Sequence, residues 1–348
     1  MKIIDFLNSQ NLDDSMIIGY YGGGNFGDEL LMEVLLNILE RQKVKNLKVL
    51  YLSYIGYEKY HRKFNKLEIV SIKNKFKFFY KLIRSKNIII GGGGIWGLDF
   101  NFNVFILSLI IFISKFVFFK NIFLLGIGYY NSTTILGRFA ASLVGVSSDV
   151  IIARDSETYK NFRKVSKKVY IDRDIAFNFF EIDINQYAEK ISDLEKRINI
   201  FYPTIFITIR RFSGRNNANY QKAILEVIQK NISKKICISL FETKEIDVDG
   251  YKFLTSISIN NKNITILDFD FNPVALFFLF QKHNKDIIII SPQFHGQVMA
   301  NVTNTPFLPI SYDNKNSELF NLLGIKNFIK FKDITYLDMQ KFIDNFYE

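Results

Sequence analysis

Residues 286–302 read DIIIISPQFHGQVMANV. The four isoleucines after Asp286 are apolar at every position and too few for an amphipathic helix. They read as an interior strand of a parallel sheet, covered on both faces. Gly296 to Thr303 then carries small apolar residues at a spacing that suits a helix packed closely on that sheet. His295 therefore stands at a strand-to-helix junction. In an open α/β sheet, ligands bind in the crevice beyond the carboxyl ends of the strands, so the imidazole is placed where proton chemistry is usually done. A lone histidine there also serves as a helix cap or a core hydrogen-bonding group, and the rest of the chain has to decide between the two.

The same alternation runs outward in both directions. Short apolar runs at Met16–Tyr20, Lys48–Ser53, Asn87–Ile90, Ile122–Gly126, Val150–Ala153 and Val169–Ile171 are separated by longer segments, the pattern of βαβ units. A polar, helix-spaced joint follows at Glu181–Asn199. Strands resume at Ile205–Ile209, Ile236–Phe241, Ile264–Leu267, Ile287–Ile290 and Phe307–Ile310. With 348 residues the chain exceeds what one core organises. The expected architecture is α/β, with two doubly wound Rossmann-like domains facing a shared cleft, residues 1–180 and 181–348.

Composition narrows the function. A single cysteine, Cys237, lies in an apolar run, which leaves no disulfide framework or cysteine zinc site and points to a reducing compartment. The amino terminus lacks the apolar core of a secretory signal, so a cytoplasmic location is expected. The net charge of +11 suits an anionic partner. No aromatic-plus-basic repeat or zinc-finger spacing accompanies it, so no nucleic acid is expected. No Asp-x-Asp loop with a third ligand is evident and Asp268-Phe269-Asp270 reads as a solvated strand end, so neither metal nor cofactor is implied. His61 and His283, set among Lys and Asn, read as surface groups.

Val104–Phe119 reads VFILSLIIFISKFVFF, apolar on every face but short of the roughly 20 residues a spanning helix needs. It is expected as a buried crossover helix between the strands at Ile88 and Ile122. Its aromatic surplus suggests a peripheral contact with the cytoplasmic leaflet, aided by Lys73, Lys75, Lys77 and Lys81.

Several clusters could carry chemistry. GYYGGGNFGDELL (Gly19–Leu31) is a glycine-rich turn that opens a helix, with the amides near Gly23 and Gly24 suited to approach a ligand. It is neither a P-loop nor a clean dinucleotide fingerprint. Asn25 and Asp28 within it serve either a substrate or the turn and helix cap themselves. A second strand runs into Gly91-Gly92-Gly93-Gly94-Ile95-Trp96, where the glycines imply close backbone approach. Trp96 offers a flat face for a sugar ring or, equally, plain packing. Arg154 and Asp155 form the simplest strand-end ion pair, an arrangement echoed by Asp172-Arg173-Asp174. Arg210, after Ile207-Thr208-Ile209, sets a guanidinium where a carboxylate or phosphate would be gripped.

Taken in order, GYYGGGNFGDELL, IIIGGGGIWG, ARDS, DIAF, ITIRRF and FHGQVMANVTNTPFLPISYDNK resemble the polysaccharide pyruvyl transferase family, from about Ile17 to about Gly324. The resemblance implies a GT-B-like fold and transfer of the pyruvyl unit of phosphoenolpyruvate onto two hydroxyls of a sugar or lipid-linked oligosaccharide acceptor, forming a ketal on a bacterial surface glycan. His295 matches the family histidine, and Tyr312, Asp313 and Lys315 match its Ser-Tyr-Asp-x-Lys run. Pro292-Gln293 departs from the family's Met-Arg, so neutral Gln293 stands where an anion-binding arginine is expected. The resemblance thus implies His295 and Arg210 as catalytic residues, Lys315 beside them on the donor, and Asn25, Asp28 and Trp96 on the acceptor, with Arg154, Gln293 and Tyr312 as further substrate-binding candidates. A GT-B-like glycosyltransferase using a nucleotide sugar, or a non-catalytic glycan-binding relative, is the alternative.

Overall fold

A computed structural model describes the chain except residues 53–54, 62, 97–100, 130–133, 201–202, 210–216, 244 and 258–260. Two compact units emerge, Met1–Gly24 with Asp28–Ile182, and Asn25–Gly27 with Asp183–Glu348.

The first unit holds a parallel sheet of β1 (Ser15–Ile18), β2 (Leu47–Tyr51), β3 (Leu67–Ser71), β4 (Asn87–Gly91), β5 (Asn121–Ile127), β6 (Val150–Ala153) and β7 (Val169–Ile171). Its order is β3-β2-β1-β4-β5-β6-β7. Met16, Ile17, Ile88, Ile89 and Ile90 on the central strands are wholly buried, which is why these strands read as continuous apolar runs. β3 is the one strand of this sheet with no counterpart in the sequence reading. It lies at the sheet edge, largely half-exposed, and its Glu68 breaks the apolar pattern.

The helices are α1 (Ile3–Ser9), α2 (Phe26–Arg41), α3 (Tyr57–Tyr60), α4 (Lys75–Arg84), α5 (Phe102–Phe116), α6 (Ile135–Ser147) and α7 (Ser156–Arg163). Phe78 and Leu82 of α4, Ile111 of α5, Ala141 and Val144 of α6 and Phe162 of α7 share one core cluster with the strands. These four helices therefore cover the same face. α5 is the expected crossover helix between β4 and β5, though only Ser108, Ile111 and Ser114 of it are buried.

In the second unit β8 (Thr204–Ile209), β9 (Lys235–Leu240), β10 (Ile264–Leu267) and β11 (Ile287–Ile290) form a parallel sheet ordered β10-β9-β8-β11. Phe307 meets β11 through a single bridge to Ile289, and the strand anticipated at Phe307–Ile310 is realised as β12 (Ile310–Ser311), paired with β13 (Ile329–Lys330). The helices are α8 (Ala188–Ile198), α9 (Ala218–Lys230), α10 (Val248–Ser256), α11 (Pro273–Lys282), α12 (Phe294–Val302), α13 (Asn314–Leu323) and α14 (Tyr336–Tyr347). α11 is buried from Pro273 to Phe280 and begins on a sharp signal, with Pro273 in its first turn and Asn272 Oδ1 accepting from Ala275 N at 2.8 Å.

Both sheets reverse direction after three strands. Strand order switches between β1 and β4 in the first unit and between β8 and β11 in the second. Each such point leaves a crevice beyond the strand ends where a ligand is usually held.

Candidate active site

In the second unit, α12 starts directly beyond β11, with Gln293 at its cap position and His295 in its first turn. His295 is half-buried, and its ring stands edge-on to Phe294 with centroids 5.1 Å apart. Gly27 belongs to this unit, and a Cβ on it would overlap the imidazole at Nδ1. Glycine is required there because the backbone approaches the ring with no room for a side chain.

A buried polar network fixes the ground beneath the histidine. Gln293 Oε1 accepts from Thr208 Oγ1 at the end of β8 and from Ser291 Oγ at 3.1 Å, while Gln293 Nε2 donates to Ile209 O at 3.3 Å. Gln297 Nε2 donates to Ser291 O at 2.8 Å and to Ile310 O at 2.6 Å, and Asn316 Nδ2 donates to Gln297 Oε1 at 3.0 Å and Pro292 O at 3.3 Å. Gln297 and Asn316 are wholly buried. The network ties the ends of β8, β11 and β12 to the starts of α12 and α13. Buried amides of this kind hold one geometry because an unmade bond costs about 1–3 kcal/mol. Gln293, read as a substrate-binding residue in place of the family arginine, is thus almost sealed. It braces the switch point, and its placement among neutral hydroxyls and a carbonyl suits an amide.

Residues 25–27 are built into the same unit. Phe26 is buried, stacks on Phe241 with centroids 4.0 Å apart and meets Phe269 edge-on at 6.0 Å. Burying such a ring stabilises by roughly 2–3 kcal/mol. Phe26 N donates to Phe241 O at 2.9 Å. Asn25 Nδ2 donates to Glu242 Oε1 at 2.8 Å, and Asn25 Oδ1 accepts from Gly27 N at 3.0 Å. Asn25 thus shapes the helix entrance and also reaches a carboxylate beyond β9. Glu242 and Phe26 escaped the sequence reading because their partners lie more than 200 residues away in the chain.

On α13, Asp313 caps the helix by accepting from Lys315 N at 2.9 Å, and Lys315 Nζ lies 3.7 Å from Asp313 Oδ2. A cation in the first turn of a helix opposes the helix dipole, so this position is one that favours an anion and carries a lysine instead. Tyr312 precedes it, half-buried. Arg210, the guanidinium predicted for this site, lies outside the described residues.

The first unit's switch point is filled differently. Gly22 N and Gly24 N, each 3.1 Å away, donate to the two oxygens of the Glu29 carboxylate. Of the turn amides expected to receive a ligand, that of Gly24, together with its neighbour's at Gly22, is therefore engaged by the chain's own anion. His61 sits between Glu29 Oε2, 3.0 Å from Nε2, and Glu33 Oε2, 3.1 Å from Nδ1, with all three side chains fully buried. This corrects the surface reading of His61. Burial disfavours its charge, but the hydrogen bonds and charges of Glu29 and Glu33 outweigh that and raise its pKa from 6.5 to about 9. Glu29 and Glu33 stand four residues apart on α2 among the apolar residues Leu30, Leu31, Met32, Val34 and Leu35, a pattern that calls for a buried cation and could have exposed the cluster. His283 is half-buried and 2.7 Å from Glu195 Oε1.

The second glycine run makes room for α2: a Cβ on Gly92 would strike Leu31, and one on Gly93, at φ +82°, would stand 3.1 Å from Asp28 Oδ1. Gly94 follows, half-buried. Trp96 is only 1% exposed, packed in the core cluster with its indole N–H donating to Ser108 Oγ at 3.1 Å. Packing is therefore the outcome, and the proposed sugar-stacking face is covered. Arg154 is also committed within its unit. Its Nη1 lies 3.0 Å from Asp174 Oδ2 and its Nε 3.8 Å from Asp155, which itself caps α7 by accepting from Thr158 N. The substrate-binding role read for Arg154 gives way to a buried ion pair, since a guanidinium removed from water requires carboxylates beside it.

Burial pushes the Cys237 thiol up to about 12, which rules it out as a nucleophile at neutral pH. Among the described residues no group of three or more His, Cys, Asp or Glu has a metal-holding arrangement, and no helix is long and apolar enough to cross a membrane.

The polysaccharide pyruvyl transferase family model matches residues 25–314. No curated protein matches the chain. Among solved structures, the UDP-GlcNAc 2-epimerase of Methanocaldococcus jannaschii is similar with TM-score 0.62 and 14% identity, covering 95% of this chain and 91% of that one. The S. aureus MnaA–UDP co-structure gives 0.61 and 16%, covering 96% and 88%. Anabaena HepE in complex with UDP-glucose gives 0.55 and 11%, covering 96% and 89%. These likenesses show the fold, two Rossmann-like α/β domains of GT-B type. The chain belongs to the polysaccharide pyruvyl transferase family.

Proposed function

We propose that this member of the polysaccharide pyruvyl transferase family moves the pyruvyl unit of phosphoenolpyruvate onto two hydroxyls of a sugar in a bacterial surface polysaccharide or its lipid-linked precursor. The observation that carries the reading is the placement of His295, half-buried in the first turn of α12 beyond the ends of β8 and β11 and held against Gly27.

The reaction begins with a proton delivered to the methylene carbon of the enol phosphate, which makes C2 electrophilic. One sugar hydroxyl adds to C2, the C2–O bond to phosphate breaks, and a second hydroxyl adds to close the ketal. The two hydroxyl protons balance the step: one restores His295, which gave its own proton to the methylene carbon, and the other leaves with the departing phosphate. His295 is the general acid in this scheme, because an imidazole titrates near neutral pH and can give and regain a proton in one cycle. Lys315 and Arg210 hold the donor's carboxylate and departing phosphate. Asn25, fixed by Glu242, presents an amide to the acceptor hydroxyls. The engagement of the first unit's glycine amides by Glu29 supports assigning the donor anion to the second unit.

One observation favours a second reading. Gln293 carries no charge where the family has an arginine, and the similar folds include proteins solved with UDP or UDP-glucose, so glycosyl transfer from a nucleotide sugar is the competitor. Purified protein incubated with phosphoenolpyruvate and a panel of free and lipid-linked saccharides should release inorganic phosphate only when an acceptor is present. UDP release from a UDP-sugar, with phosphoenolpyruvate left intact, would establish the competitor. Binding of saccharide without turnover of either donor would leave a non-catalytic relative.

A further inference from the structure

The first unit displays an aromatic and basic face that neither the sheet nor the site uses. Residues 72–148 contain seven lysines and two arginines against one aspartate, Asp99. Lys77 and Lys81 pair with Glu68, Lys86 with Asp14 and Lys115 with Asp149, all outside that stretch, so the positive charge on the α4 side rests with Lys73, Lys75 and Arg84. The stretch supplies α4, α5 and α6, neighbours in the layer covering one face of the sheet.

Each of these helices turns an apolar side inward and shows a second one to solvent. On α4 the buried residues are Phe78 and Leu82, while Phe76, Tyr80 and Ile83 form an outward stripe at i, i+4 and i+7. Phe76 is 92% exposed. On α5 the inward side holds Ser108, Ile111 and Ser114, with Val104, Leu107 and Ile110 packed against the same core, and the aromatic residues Phe102 and Phe116 face outward. Phe139 of α6 is exposed, and its ring lies 6.4 Å from Phe105 of α5. A helix apolar all round is ordinarily buried on all sides, and α5 is covered on one.

The turn after α5 adds an independent sign. Phe119 is 85% exposed and adopts φ +51°, a left-handed conformation that a bulky side chain enters only at an energetic cost. Lys120 Nζ anchors this turn by donating to Ile83 O at 2.7 Å and to Ser85 O, which joins the carboxyl ends of α4 and α5. The fold thus accepts backbone strain to hold an aromatic ring out in water at a turn tied to the end of α4.

We infer that the outward face of α4, α5 and the 117–120 turn docks on an anionic lipid bilayer. Phe76, Phe116 and Phe119 enter the interface, and Lys73, Lys75 and Arg84 lie against the headgroups. The charge chooses this occupant. A self-associating surface as basic as this one would bring like charges together, whereas an anionic leaflet neutralises them while it takes up the rings. This inference does not depend on which donor the site uses.

The test is co-sedimentation of the full chain with phosphatidylcholine vesicles and with vesicles of phosphatidylcholine mixed with phosphatidylglycerol, over a salt series. Binding is expected to the mixed vesicles and to weaken as salt rises. The double variant Phe76→Ser, Phe119→Asn should lower the partition coefficient on the order of tenfold. Asn tolerates the left-handed turn, so the variant should keep its far-UV spectrum and thermal midpoint, and its loss cannot be laid to unfolding. Failure to bind the mixed vesicles, equal binding to both vesicle types, or undiminished binding by the folded double variant would overturn the inference. Absence of vesicle binding together with concentration-dependent dimers that the double variant abolishes would instead assign the face to a second copy.

Discussion

Beyond β1 and β4, the first unit closes its switch point with its own groups: the Glu29 carboxylate receives the glycine-turn amides, and His61 and Glu33 back it in the core. Beyond β8 and β11, the second unit builds a buried amide network and leaves an imidazole half-exposed above it. The winding is the same and the sequence signals are similar, a glycine-rich turn in one and a strand-to-helix histidine in the other. Strand order says where a ligand is held in such a sheet, but not whether the chain has already filled the place. A glycine turn before a helix is an anion site only when no nearby carboxylate claims its amides.

The sharpest way to break this comparison is at Glu29. Glu29→Ala takes away one of the two carboxylates flanking a buried histidine and the acceptor of two amides, so it should destabilise the protein by about 3–5 kcal/mol in urea unfolding. It should act on stability far more than on the affinity for phosphoenolpyruvate. A large rise in donor affinity would instead show that the freed amides form a phosphate site. Gly27→Ala carries the next effect, on the second unit. The added methyl displaces His295, and displacement of about an ångström is expected to lower turnover roughly 10²-fold while the protein still unfolds cooperatively. Turnover kept within a factor of two would separate Gly27 from the chemistry.

The pH dependence of stability distinguishes the two histidine environments. His61 is raised to about 9 in the folded protein from an ordinary 6.5, so its contribution is fully present below about pH 6.5 and is lost as pH climbs through 9. Urea stability should therefore fall by up to about 3 kcal/mol over that window, and the fall should shrink in Glu33→Gln. A flat profile would mean that His61 is neutral in the fold. The smallest effect belongs to Trp96→Phe. It removes the bond to Ser108 and some packing, worth about 1–2 kcal/mol, and should leave acceptor KM unchanged if the ring is core; a raised KM at unchanged stability would restore its sugar-facing role.

Most strands were legible because parallel strands buried on two faces must be apolar at every residue. The runs at 87–90, 150–153 and 287–290 declare themselves in this way. β3 was not, because an edge strand tolerates Glu68 and half-exposed neighbours. The position of His295 followed from the same strand rule, and the family motif gave its company. What the sequence hid were partnerships across long separations: Phe26 on Phe241, Asn25 on Glu242, Arg154 on Asp174 as well as on its neighbour Asp155. Hydrophobic periodicity describes which side of an element is buried and carries no information about the residue met there. Trp96 and His61 show the same limit, since indole and imidazole are each at home in a core or a site and only the surrounding atoms decide.

The central claim is that the imidazole beyond β11 protonates the donor. The most direct measurement is acceptor-dependent phosphate release from phosphoenolpyruvate by the wild type and by His295→Ala, with donor concentration varied to separate kcat from KM. The expected result is a fall in kcat of roughly 10²-fold or more, with little change in donor KM and an unaltered thermal midpoint. A folded His295→Ala protein that turns over at near wild-type kcat would contradict it.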